Sequence, residues 1–384
     1  MQKRIESIDI TRGLVVIIMT LDHAREFMHN GAYSPDPTNL QTTTYLLFLT
    51  RWVTHVCAPA FLFLAGTSAY LSMIRTNNYS STRRKLLVRG ILLVVLDLTL
   101  VNFALWFDIQ FRLILFEVIA AIGCGFILLT LFLRLPAWIT ATTGVLIIFL
   151  HNLLPGSLSP GTIQGFLYSV FVSPGMTTVS PSLTVFTAYP VLPWFGIMLL
   201  GFSIGRLFES EQENRKKSLL LLGGLSLALF VLIRFINSYG DPSAWAKQES
   251  TMFTFLSFVN VTKYPPSLLF TLLFVGLMLI VLACADRLST RVKSLVSVFG
   301  KVPFFYFVVH LFLIHVSMFV MLLLQGFGYA EFRFGLFNNG RPEAASGIPL
   351  WGVYLFWVAV LLIMYPLSLW YARLRERNQL LRYL

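Results

Sequence analysis

The sequence predicts an all-α, polytopic helical membrane protein of about ten transmembrane helices, with both termini in the cytoplasm. The first reason is composition: of 384 residues 57% are hydrophobic and only 12% charged, against roughly 25% charged in soluble domains. The second is spacing. Apolar stretches long enough to cross a hydrocarbon layer of about 30 Å recur near 12–30, 51–74, 86–107, 111–133, 136–154, 187–208, 216–238, 265–285, 302–325 and 349–372. The third is charge asymmetry: of the 29 Lys and Arg residues, 21 fall on the side of the N-terminus and 8 on the other. That bias is the positive-inside rule, and it orients the chain.

The first span is the most informative. Gly13–Leu21 reads as a plain apolar helix, but the next turn holds Asp22, His23, Arg25 and Glu26. A central Asp or Arg costs about 2.5–3.5 kcal/mol to insert, so such a cluster marks a functional site. His23 follows Arg12 by eleven residues, close to three helical turns, which puts both on one face about 16 Å apart. The span lacks an A-x-A-like cleavage site and is expected to be retained.

Span 2 opens with Arg51 and His55 and contains Pro59. Proline cannot donate to the carbonyl four residues earlier, that of His55, so a kink is expected beside the imidazole. Ala65, Gly66 and Ser68 would let another helix approach closely. Span 3 follows a basic run, Arg83, Arg84, Lys85 and Arg89, and carries Asp97 and Asn102. The run suits anionic lipid headgroups or the phosphates of a cytoplasmic nucleotide-like donor, for which Arg forks are well shaped. Span 4 opens with Arg112 and Glu117, and span 5 ends at His151. His310 and His315 lie in span 9, about 140° apart around a helix, so both cannot face one pocket, and His310 shares a face with Tyr306.

The connections differ by side. Those at 75–89, 206–217 and 286–301 are short and basic; those at 29–50, 155–184, 237–266 and 326–350 are longer and rich in Pro, Gly and Ser. The latter are expected to fold back as re-entrant or interfacial segments. No connection exceeds about thirty residues, so residues 1–384 read as a single domain. The net charge of +12 is a topology signal, and no nucleic-acid partner is expected. Cys57, Cys124 and Cys284 lie in apolar spans without metal spacing; no metal is expected.

The segments RIESIDITRGLVVIIMTLDHAREF, RWVTHVCAPAFLFLAGTSAYL, AYPVLPWFGIMLLGFSIG, TKYPPSLLFTLLFVGLMLI and FGKVPFFYFVVHLFLIHV resemble, in order, the bacterial branch of the heparan-α-glucosaminide N-acetyltransferase family. The resemblance implies a transmembrane acyltransferase moving acetyl from cytoplasmic acetyl-CoA to an extracytoplasmic amino sugar or glycan acceptor. It also implies residence in the bacterial cytoplasmic (inner) membrane among its lipids, and allows a homodimer. Arg12-x10-His23 is similar to the Arg/His pair of bacterial membrane O-acyltransferases, which implies His23 as the catalytic base or acyl carrier. Asp22, or a carboxylate on another helix, is then its expected orienting group, and His55 and His29 are further catalytic candidates, His29 because the eukaryotic enzyme's histidine follows span 1. Arg12, Arg83, Arg84 and Arg89 are the expected acyl-CoA contacts, and Asn102 or Tyr264 would steady the developing oxyanion. A different class fits the same residues: a proton-coupled transporter with Asp22, His23, Asp97, Glu117 and His310 as a relay.

Overall fold

The structure, a computed structural model, describes residues 5–31, 36–159, 161–378 and 381. Lys3, Arg4 and Arg382 of the basic count lie outside the described residues. The chain is an all-α polytopic membrane bundle. It begins with α1 (Glu6–Met28), α2 (Tyr45–Thr54), α3 (Cys57–Thr76), α4 (Tyr79–Leu96) and α5 (Asn102–Trp106), the last two joined by a π-helical turn, Asp97–Val101. The strand β1 (Leu113–Phe116) leads into α6 (Val118–Leu129) and α7 (Ala137–Leu150). After α8 (Ile163–Phe171), β2 (Gly175–Ser180) and β3 (Leu183–Thr187) come α9 (Val191–Ile204), α10 (Gln212–Ile236), α11 (Thr251–Val259) and α12 (Leu268–Cys284). The remainder is α13 (Thr290–Lys301), α14 (Pro303–Leu324), β4 (Phe334–Gly335), β5 (Asn338–Asn339) and α15 (Leu350–Arg377).

Each of the ten predicted spans contains a helix. Among the described residues seven are long and apolar enough to cross a membrane, counting α2 with α3 and α4 with α5 as single spans, and α6 and α7 are shorter apolar helices. The first helix is long enough at 23 residues, but Asp9, Arg12, Asp22, Arg25 and Glu26 interrupt its apolar character. Tertiary packing holds it instead: α1 lies against α2, α3, α12, α13, α14 and α15, at the centre of the bundle.

Two junctions shape the site. The helix of span 2 breaks at His55 and Val56, between α2 and α3, four residues before Pro59, where the missing proline N–H demands it. The fourth span starts later than its hydropathy suggests. Residues Leu113–Phe116 form β1 and pair in parallel with β3, which pairs antiparallel with β2. Asn102 holds this strand in place, accepting from the Leu115 N–H at 2.7 Å and donating to the Leu115 carbonyl at 2.9 Å. Its amide also donates to the Asp97 carbonyl, so Asn102 braces the π-helical turn. The segments at 155–184 and 326–350 contribute strands to two small sheets, and the first also carries α8.

The small residues of α3 act as predicted. A Cβ on Gly66 would sit 2.1 Å from the Met198 carbonyl oxygen, and one on Gly201 2.0 Å from that of Phe63, so α3 and α9 touch backbone to backbone. The same device joins α1 to α13, where a Cβ on Gly300 would lie 1.9 Å from the Asp9 carbonyl oxygen.

Candidate active site

A cavity of about 760 Å³ runs between α1, α3, α4, α6 and α14. Its mouth carries Arg12, Lys85, Arg89, Lys301 and Arg375, and no acidic residue lines it among the described residues. Arg12 is fixed by three elements: it donates to the Ser68 hydroxyl at 2.9 Å and the Gly300 carbonyl at 3.2 Å, and pairs with Asp9 at 3.4 Å. Arg375 donates to the Lys301 carbonyl at 2.8 Å, so Arg12 and Arg375 both hold the last turn of α13, where carbonyls lack helical partners. The Arg89 guanidinium lies 5.3 Å from the Phe126 ring centre, and its Nε is buried with no partner among the described residues. A half-buried, under-satisfied arginine in a five-cation mouth fits an anion. Apart from Ser68 and Ser72, the rest of the wall is apolar.

On each of four helices the wall stops just short of a polar residue. On α1 it comprises Arg12 and Met19; the next residue on that face is His23. On α4 it runs from Lys85 through Arg89 to Leu93, and Asp97 follows by four. On α6 it reaches up to Val118, next to Glu117. On α14 it comprises Pro303, Phe304 and Phe307, with His310 three residues on. The sequence pattern and the packing together produce an apolar tunnel that is basic at one end and polar beyond the other.

Beyond the closed end, His23 Nδ1 and His310 Nε2 are 2.7 Å apart. His310 Nδ1 lies 2.8 Å from the Tyr306 carbonyl oxygen. A carbonyl only accepts, so His310 Nδ1 carries a proton; in neutral His310, Nε2 is then an acceptor and His23 Nδ1 the donor. The chain of bonds leaves the lone pair of His23 on Nε2. Below it, the Tyr306 hydroxyl lies 2.7 Å from Thr20 Oγ1, which donates to the Val16 carbonyl at 2.9 Å. Tyr306 therefore donates to Thr20, and α1 and α14 are locked together one turn beneath the imidazoles.

The other predicted residues distribute as follows. Asp22 does not touch His23; it pairs with Arg51 at 2.5 Å and Arg25 at 3.3 Å. His55 is buried against Phe270 and Phe274, with ring centres 5.9 and 5.6 Å away, within electrostatic reach of Arg51 and Lys263. His29 lies apart from both. It forms a bridge with Ile348, accepts from the Gly31 N–H, and sits where the 326–349 segment clasps the end of α1. Arg83 and Arg84 are exposed and do not line the cavity. Lys85, Lys301 and Arg375, absent from the expected contacts, line it instead. Tyr264 packs against Tyr189, and Lys263 Nζ lies over both rings. Glu26 lies within electrostatic reach of both His23 and Glu117. Asp97 accepts from the Glu117 N–H at 3.2 Å.

The catalytic-domain family model of heparan-alpha-glucosaminide N-acetyltransferase matches residues 4–236. The chain belongs to this family. The match covers α1 to α10 and so includes Arg12, Arg89 and His23, whereas His310, Lys301 and Arg375 come from the part beyond it. No curated protein matches the chain. As a heparan-α-glucosaminide N-acetyltransferase family member it is a membrane protein of acetyltransferase type, and in this family setting the basic-mouthed cavity and the imidazole pair are its candidate donor site and candidate base.

Proposed function

We propose that this protein, as one domain in a bacterial cytoplasmic membrane, transfers acetyl from cytoplasmic acetyl-CoA to an amine or hydroxyl of an extracytoplasmic glycan. The observation that carries the reading is the cavity with five cations at its mouth and His23 one turn beyond its closed end. The phosphates of coenzyme A would lie against Arg12, Arg89, Lys85, Lys301 and Arg375. The pantetheine arm would occupy the apolar wall, with the thioester at the level of Met19, Phe307 and Val118. The separation of Arg12 and His23, about 16 Å along α1, is one that arm can span.

In this scheme His23 is the general base. As the acceptor nitrogen or oxygen attacks the thioester carbonyl carbon, His23 Nε2 takes its proton; the C–S bond breaks, and the proton passes to the sulfur to release CoA thiol. The hydrogen bond to His310 supports this role because it holds the productive tautomer. Asp22, committed to Arg25 and Arg51, acts through its field.

Purified protein in nanodiscs should bind labelled acetyl-CoA saturably and release CoA when a glucosamine-bearing acceptor is supplied. His23→Asn should still bind acetyl-CoA while losing about 10²–10⁴-fold in turnover. Absence of acetyl-CoA binding, together with solute uptake driven by a pH gradient in liposomes, would overturn the reading in favour of transport.

A further inference from the structure

We infer that Phe307 is the partition between the donor cavity and the imidazole pair. Its ring must turn aside for transfer, and at rest it keeps water from the thioester. This rests on the donor-site reading above. Phe307 lines the cavity, and its ring meets the imidazoles: the centroid is 5.9 Å from that of His23, edge to face at 70°, and 5.8 Å from that of His310. Neither histidine lines the cavity. His310 is fully buried, and His23 is half-buried. The accessible edge of His23 therefore opens on something other than the donor cavity. A base that water can reach and a thioester that must not be hydrolysed are separated here by one aromatic ring.

The neighbouring wall can accommodate its movement. Met19, across from Phe307 on α1, is unbranched and adapts to a shifted ring more readily than Leu or Ile would. The backbone beneath is fixed, because the Tyr306–Thr20 bond ties α14 to α1 immediately before Phe307. The freedom lies in the Phe307 side chain and not in helix motion. Opening for an acceptor and not for water is the kind of gating that protects a reactive donor.

Removing the ring should expose the thioester to water from the side of His23. The uncoupled reaction balances simply: water oxygen attacks the carbonyl carbon, His23 Nε2 takes the proton, the C–S bond breaks, and the proton passes to sulfur, yielding acetic acid and CoA thiol.

The test uses the full chain in nanodiscs with acetyl-CoA and no acceptor, reading CoA thiol with a chromogenic reagent. Phe307→Ala is expected to hydrolyse acetyl-CoA about tenfold or more faster than wild type when the donor is saturating. The gain should vanish in the Phe307→Ala/His23→Asn double variant. Phe307→Leu should lie between, and it serves as the reading if the alanine variant does not fold. Phe307→Trp should slow transfer to an acceptor by about tenfold at saturating donor. Leu and Ala variants that bind acetyl-CoA but hydrolyse it no faster than a transfer-competent wild type would overturn the partition alone. Wild-type protein that binds no acetyl-CoA would bring down the donor-site reading and the partition with it.

Discussion

Replacing His310 with leucine removes the acceptor for His23 Nδ1 while leaving the donor cavity intact, because His310 does not line it. The bond removed is 2.7 Å long and part-buried, with His310 itself fully buried. A buried donor left unpaired costs about 1–3 kcal/mol. His23 escapes that cost by moving its proton to Nε2, which removes the lone pair that the proposed base uses. Restoring the productive tautomer then costs the same about 1–3 kcal/mol, a loss of roughly 5–150-fold in kcat. The KM for acetyl-CoA should stay within about twofold, the pattern of a group that acts only in the transition state. The Tyr306 carbonyl is little affected, since in mid-helix it keeps its backbone partner. His310→Gln restores an oxygen acceptor and should recover a large part of the rate. The assay is steady-state CoA release with a saturating acceptor. A leucine variant within about twofold of wild type in kcat, or a glutamine variant no better than leucine, would refute the tautomer argument.

Arg89→Gln should weaken acetyl-CoA binding by about 10–150-fold, the equivalent of a charge-assisted bond worth about 1.5–3 kcal/mol, whereas Arg83→Gln, on the exposed face, should change it little; equilibrium binding with labelled donor separates the two. Gly300→Ala should lower thermal stability by about 1–3 kcal/mol or more, because its Cβ would lie 1.9 Å from the Asp9 carbonyl oxygen, and a melting curve in detergent reads it. Burial pushes the Asp108 carboxyl up, but bonds from the Arg112 side chain and from the Arg112 and Gln110 N–H groups outweigh that and hold it below the usual range. Its contribution is therefore present above the unfolded value of about 3.9 and lost as pH falls through the lower folded value. Asp108→Asn should cost up to about 1 kcal/mol at pH 7, the half-exposed Arg112 limiting it, and the difference from wild type should shrink towards pH 3.

The sequence was a good guide wherever one helix carried the information. Hydropathy located a helix in all ten spans, and the eleven-residue spacing of Arg12 and His23 put both on the face of α1 that the cavity follows. The errors arise where the information lies between elements or in the helical phase. Asp22 was expected to orient His23, but residues adjacent in a helix point about 100° apart, so Asp22 turns to Arg25 and Arg51. The same periodicity separates the basic run. Lys85 and Arg89 are i, i+4 and share the cavity face with Leu93, while Arg83 and Arg84 point elsewhere. The bond from His23 to His310 crosses 287 positions of sequence, and no local pattern announces it. The short run Leu113–Phe116 could equally start a helix or form a strand; pairing with β3, which hydropathy cannot see, decided it.

The imidazole pair has a physical rationale in a membrane interior. A carboxylate orienting the base would be a permanent charge in a low-dielectric bundle, with a desolvation cost of several kcal/mol that only excellent pairing recovers. A neutral imidazole acceptor orients His23 through one hydrogen bond and carries no resting charge. The compensation is needed only when His23 becomes cationic during attack. Glu26 shares α1 with His23 three residues on, and its carboxylate would favour that cation. In the proposed scheme the arrangement separates two tasks that a single Asp–His contact would combine: His310 would set the tautomer at rest, and Glu26 would stabilise the charge when it forms. Glu26→Gln should then lower kcat while leaving the tautomer intact, so that its effect and that of His310→Leu are close to additive in free energy. Strong non-additivity in that double variant would mean that orientation and charge stabilisation act through one and the same contact.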